Sequence, residues 1–187
     1  MLPPGRGTDD DAEPVTDATG DAAMSPLDDL MIRAAHRVDL DGLGELAGSQ
    51  DRAEVRLQAA GRGEEAMLVA VAADRVVGVV SVRWRDGCDT PNPWLYGLAV
   101  VAPARRRGVG RALVAASEAA GAARGADAMS LDVDVDDEAA VSFYQRLGYV
   151  IVRPHQHRWR AVDPRTGAVT GEGTAPTWIM RRHLPVA

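Results

Sequence analysis

WLYGLAVVAPARRRGVGRALV, residues 94 to 114, runs from an apolar stretch through a proline and three arginines into a segment of helical periodicity. Residues 94 to 101 lack polar alternation, the pattern of a strand covered on both faces. Val109, Leu113, Ala116 and Ala120 then recur at helical spacing, so a helix begins near Gly108 and ends around Gly121 to Gly125. Glycines between a strand and a helix let the backbone approach a ligand closely. The helix start adds unpaired N–H groups and a partial positive charge, so this bend suits phosphate.

Upstream, LMIRAA from Leu30 reads as a short strand, and VDLDGLGEL as a helix opened by Asp39 or Asp41. RAEVRLQAAGRG is a second helix that fails at Gly61 and Gly63. AMLVAVAADRVVGVVSVRW holds two β-rich runs joined at Ala73-Asp74, a hairpin without the preferred Asn-Gly turn, and Arg85 to Pro93 form a loop. Downstream, SLDVDVDDEA (130 to 139) alternates Leu131, Val133 and Val135 with Asp132, Asp134 and Asp136, a strand with one acidic face. In DDEAAVSFYQRLGY, Ala140, Phe143, Tyr144 and Leu147 share a helical face, Asp136 or Asp137 caps the start, and Gly148 closes the end. The strand YVIVR, an extra hairpin RWRAVDPRTGAVT turning at Asp163 to Gly167, and a last strand TWIMRRHL complete the chain. The order β-α-α-β-β-β-α-β-α-β-β describes an α/β fold, a mixed sheet with helices on it.

The 187 residues give room for one domain and a tail. Residues 1 to 26 have almost no large apolar side chain and are expected to form a disordered acidic tail before a single domain at 27 to 187, with Met24 or Met31 as alternative starts. Residues 1 to 29 hold eight acids against Arg6, net −7, so the total of −6 leaves +1 for the rest. Global charge therefore points neither to nucleic acid nor to an anionic membrane surface. A single cysteine, Cys88, the lack of an apolar leader after Met1 and the absence of a membrane-length apolar run suggest a soluble cytoplasmic protein. All 21 basic residues are arginine, which removes a lysine Schiff base and a Walker-type lysine from the available chemistry.

Read from its residues alone, the bend at Arg105-Arg106-Arg107-Gly108-Val109-Gly110-Arg111 is a phosphate cradle, a nucleic-acid patch or a solvated surface. A P-loop fails for want of Gly-Lys-Ser/Thr, and the dinucleotide fingerprint fails because Leu113 occupies its third glycine position. Arg105-x-x-Gly108-x-Gly110 after Leu98-Ala99-Val100 resembles the pyrophosphate loop of the GNAT superfamily of N-acetyltransferases. Leu131-x-Val133-x-Val135-x-Asp137-x-x-Ala140-x-x-Phe143-Tyr144-x-x-Leu147-Gly148-Tyr149 resembles that family's second signature. Asp137 stands where the family usually has asparagine, and Trp94 and Leu95 stand where some members place a glutamate base.

The resemblance implies a GNAT-like fold, acetyl-CoA as co-substrate and no metal. It implies a pyrophosphate held by backbone amides of Arg106 to Arg111, with Arg105 and Asp137 also at the cofactor, and a pantetheine arm along Leu98, Ala99 and Val100. Main-chain N–H near Val100 would stabilise the oxyanion while an amine attacks the thioester directly. Tyr144 would protonate the leaving thiolate. The base is then sought among Asp132, Asp134, His155 and His157. Basic groups from His155 to Arg160 suit an acceptor that also carries a carboxylate or phosphate. The four tryptophans, Trp84, Trp94, Trp159 and Trp178, line an acceptor pocket or cover a small core. The acceptor is a small-molecule or peptide amine: an amino acid, polyamine, peptide N-terminus, lysine side chain or antibiotic. A CoA-binding sensor or interaction module that keeps the loop without turnover is the alternative, and the C-terminal hairpin offers edge pairing for a homodimer.

Overall fold

The computed structural model describes residues 29–163, 166 and 168–185, so the acidic tail and parts of the expected 163–167 turn lie outside the described residues. In chain order the elements are β1 (Met31–Ala34), α1 (Leu40–Leu46), α2 (Gln50–Gly61), β2 (Glu65–Ala72), β3 (Arg75–Arg83), β4 (Trp94–Val100), α3 (Val109–Ala122), β5 (Ala128–Asp134), α4 (Glu138–Arg146), β6 (Val150–Val162) and β7 (Val169–His183). The expected element order is reproduced. The strands form one mixed sheet in the order β1-β2-β3-β4-β5-β7-β6, with the β4–β5 contact parallel and the others antiparallel.

Apolar residues on opposite sides of the sheet seed two cores. Leu43 of α1 and Ala53 of α2 pack on Met67, Val69, Val71 and Val79. Val109, Leu113 and Val114 of α3, with Tyr144 of α4, pack on Val80, Val82, Leu95, Leu131 and Met180. The β2–β3 turn dispenses with Asn-Gly because Ala73 (φ 48°) and Asp74 (φ 58°) both adopt the left-handed conformation that a two-residue hairpin turn needs.

Three details depart from the sequence reading. Asp39 does not cap α1 with its side chain. Its buried carboxylate accepts two bonds from Arg33 at 2.7 Å and one from the His36 N–H, tying the start of the helical layer to β1. The strand YVIVR and the hairpin beyond it are not separate elements. They merge into the 13-residue β6 and 15-residue β7. Pro154 is tolerated because β6 is an edge strand, and Pro176 because its open side lies just past the end of the β5 ladder at Asp134↔Thr177. Finally, β4 is covered on both faces only at Trp94 and Leu95, whereas Tyr96 to Val100 are partly exposed. That second half of β4 forms the wall of a site.

Candidate active site

The sheet opens at its centre. β4 and β5 pair only at Trp94↔Ser130, so the backbone groups beyond Leu95 that point toward β5 have no strand partner. On the other edge, β3 pairs Ser81 with Tyr96 and then Val79 with Ala99, leaving Gly97 and Leu98 opposite a single residue. This is a bulge, and Gly97 takes φ 62° within it. Leu98, Ala99 and Val100, the expected pantetheine segment, thus lie along a frayed edge. They line a cleft of about 680 Å³ with Glu45, Leu46 and Arg105.

The bend after β4 is shaped for an anion. Arg106 (φ 58°) and Gly108 (φ 89°) take left-handed conformations, which turn successive N–H groups to one side, and Gly108 leads directly into α3. Arg106, Arg107 and Arg111 are exposed around it, and Val109 is buried as the helix's first core residue. A Cβ on Gly110 would stand 3.4 Å from the Phe143 ring, so the helix start lies close to α4. Arg105 has a structural task as well, since its Nε donates to the Val100 carbonyl at 2.9 Å and pins the bend to the end of β4. These features fit a diphosphate and its linked arm.

Across the gap, the acidic stripe of β5 divides into three different environments. Asp132, half-buried, has a carboxylate oxygen 2.9 Å from His157 Nδ1. Asp134 is exposed and accepts from the Asp136 N–H at 2.9 Å, finishing the strand in a turn. Asp137 caps α4 by accepting from the Ala140 N–H at 2.9 Å, so the cap belongs to Asp137 and not Asp136. Tyr144 is buried, edge-on to Phe143 and Tyr149 at centroid distances of 5.0 and 5.6 Å. Burial first, then the charges of Asp132 and Asp137, push its hydroxyl well above the usual phenol range. Tyr144, Asp132 and His157 are therefore brought together electrostatically. His155 contributes its carbonyl to Thr177.

Sequence reasoning missed the other bank of the gap. Tyr96 lies two residues beyond the Trp94–Ser130 pairing along β4, as Asp132 does along β5. The Tyr96 hydroxyl donates to Glu65, whose other oxygen accepts from Arg83 Nε at 3.0 Å. Arg56 and Arg83 stack on the Tyr96 ring at 5.1 and 4.9 Å. The glycine after Tyr96 in an otherwise apolar run was the one sequence signal of irregularity there. A second missed group is Asp89, which accepts from Arg181 at 2.7 and 2.8 Å, from Asn92 at 3.2 Å and from Ser130, and fastens the 84–93 loop over β5 and β7. Trp94 and Leu95 are buried, so no base sits at those positions.

Residues 33–149 match the Acetyltransferase (GNAT) family. This chain belongs to the GNAT acetyltransferase family. N-alpha-acetyltransferase 30 of Schizosaccharomyces pombe is 36% identical over 86 residues, a span of 46% of this GNAT chain and 57% of that protein. Among solved structures, yncA of Salmonella typhimurium, determined with its cofactor acetyl-CoA, superposes with a TM-score of 0.65 at 16% identity, covering 83% of this chain and 94% of its own. The ribosomal-protein-S18-alanine N-acetyltransferase of Escherichia coli gives a TM-score of 0.61 at 16% identity, over 84% of this GNAT chain and 96% of its own. The structural likenesses establish the GNAT fold.

Proposed function

We propose that this GNAT protein transfers the acetyl group of acetyl-CoA to a primary amine by direct attack, with His157 and Asp132 as the base and Tyr144 as the acid. The observation that carries the reading is the His157–Asp132 contact at 2.9 Å on the lip of the β4–β5 gap, with Tyr144 within the field of the same carboxylate. The bound thioester supplies an activated carbonyl. The N–H groups of Arg106 to Arg111 and the exposed arginines around them hold the diphosphate, and the frayed edge of Leu98 to Val100 aligns the arm. Asp132 on Nδ1 orients the imidazole and leaves Nε2 to take the proton of an ammonium acceptor. Tyr144, kept protonated by burial and by two nearby carboxylates, holds a proton for the departing sulfur. Among the described residues no helix is long and apolar enough to cross a membrane.

The test is release of free CoA thiol across a panel of amines, with CoA affinity measured separately by calorimetry. His157→Gln is expected to lower turnover at neutral pH by about 100-fold or more while CoA affinity stays unchanged. Tight CoA binding with no turnover on any amine would replace transfer by the sensor reading.

A further inference from the structure

The second cleft of the molecule, about 940 Å³, lies between the start of α2, the bulge of β4 and the tip of the β6–β7 hairpin. Its lining includes Arg52, Arg56, Arg83, Tyr96, Gly97 and Thr170. The charges on its floor do not balance. Arg56 and Arg83 face one carboxylate, Glu65, and both oxygens of Glu65 are occupied by Arg83 Nε and the Tyr96 hydroxyl. Arg56 is left with a neutral partner: its Nε and Nη2 donate to Ser81 Oγ at 2.9 and 2.7 Å. A guanidinium has five N–H donors, so a fork of donors remains for a planar anion.

The head of Arg56 is also fixed in place. It stacks on Tyr96, whose other neighbour is the Arg83 guanidinium. It rests on the β4 bulge, where a Cβ on Gly97 would stand 2.8 Å from Nη2 and 3.0 Å from Nη1. Burial holds this guanidinium below its ordinary value, although Tyr96 and Glu65 pull the other way. Asp51, at the rim, is exposed beside the exposed Arg52. Gly97 immediately precedes Leu98, which puts the Arg56 head at the end of the expected thioester channel.

Resting on the transferase reading above, we propose that Arg56 binds a carboxylate carried close to the acceptor amine, so that this protein prefers amino-acid-like acceptors over polyamines and plain amines. The carboxylate comes from a free amino acid or from an acidic residue at a peptide N-terminus. The Arg56 fork of α2, seated on the β4 bulge, and the Asp132–His157 pair of β5 and β6 would then grip the two ends of one zwitterion across the gap.

The experiment compares matched acceptors with the full-length protein and saturating acetyl-CoA: amino acids against their carboxamides and decarboxylated amines, and short peptides beginning with Asp or Glu against those beginning with Asn or Gln. Wild type should prefer the carboxylate by about 10- to 100-fold in kcat/KM, the range of one or two charge-assisted bonds. Arg56→Met should bring that ratio near one, and Arg56→Lys should restore part of it, with melting temperature and CoA affinity as controls on folding. Which series shows the preference identifies the source. Calorimetric titration of the same pairs into the CoA complex reads the preference without turnover, so an inactive protein that still selects the carboxylate refutes transfer and sustains this site. Equal use and equal binding of acid and amide by wild type overturns it.

Discussion

Replacing Asp89 by asparagine isolates the charge that fastens the 84–93 loop to the sheet. The carboxylate is 8% exposed and receives a two-pronged contact from Arg181, with Ser130 and Asn92 on the same oxygen. The Arg181 bonds first of all hold its pKa down, from an ordinary 3.8 to about 2. A difference of nearly two units at ~1.4 kcal/mol each corresponds to about 2.5 kcal/mol of folded-state stabilisation. Because the folded value is depressed, this stabilisation is present at any pH above about 4 and disappears as pH falls through about 2. Asp89→Asn should therefore unfold about 5 to 10 °C below wild type at pH 7, given ~2 to 4 °C per kcal/mol for a chain of this size. The two melting curves should converge between pH 4 and 2. Thermal melts followed by far-UV circular dichroism at five pH values measure both. A variant that melts with wild type at pH 7, or a gap that persists undiminished at pH 2, would refute the assignment of that stability to an ionised Asp89.

Gly110→Asp leaves the fold intact, since the added Cβ would make ordinary contacts with the Phe143 ring at 3.4 Å and with Leu98 at 4.0 Å, but places negative charge at the start of α3. CoA affinity should fall about 100-fold or more by calorimetry with little change in melting temperature. Tyr144→Phe keeps the ring in its aromatic cluster and removes the proton. Turnover should drop by about 100-fold or more with CoA affinity unchanged, and a fully active variant would return Tyr144 to a packing role. Gly173→Val forces a Cβ to within 2.9 Å of the Trp159 ring, which lies flat over Gly171 and Gly173. Tryptophan fluorescence should shift, and acceptor KM should rise while CoA affinity holds.

The parts of this protein that were legible in its sequence are those written locally. Helix α3 announced itself through the spacing of Val109 and Leu113, α4 through its cap and Gly148, and the bend after β4 through glycines between a strand and a helix. The Asp132–His157 pair was half legible: both residues were candidates, but their meeting depends on β6 and β7 being long enough to fold back beside β5. Contacts between distant segments left no local mark. Asp89 and Arg181 are 92 positions apart, and Arg56 and Ser81 are 25 apart. The merging of two expected short strands into β6 was hidden by Pro154, which reads as a break until the strand is known to lie at an edge. Asp137 shows the reverse case, a carboxylate noticed as a departure from a family pattern whose bond to Ala140 is an ordinary helix cap.

The bulged half of β4 faces two clefts at once, with Leu98 to Val100 in one and Tyr96 and Gly97 in the other. Beyond that shared strand, the end of α1 and the arginine-rich bend wall the first cleft, and the α1–α2 turn with Val162, Asp163 and Thr170 walls the second. On the function proposed above, donor handling and acceptor choice would then share β4 but differ in much of the remaining wall. Grafting a different hairpin tip onto this scaffold would redirect which amine is modified while the machinery for the acyl donor carries over untouched.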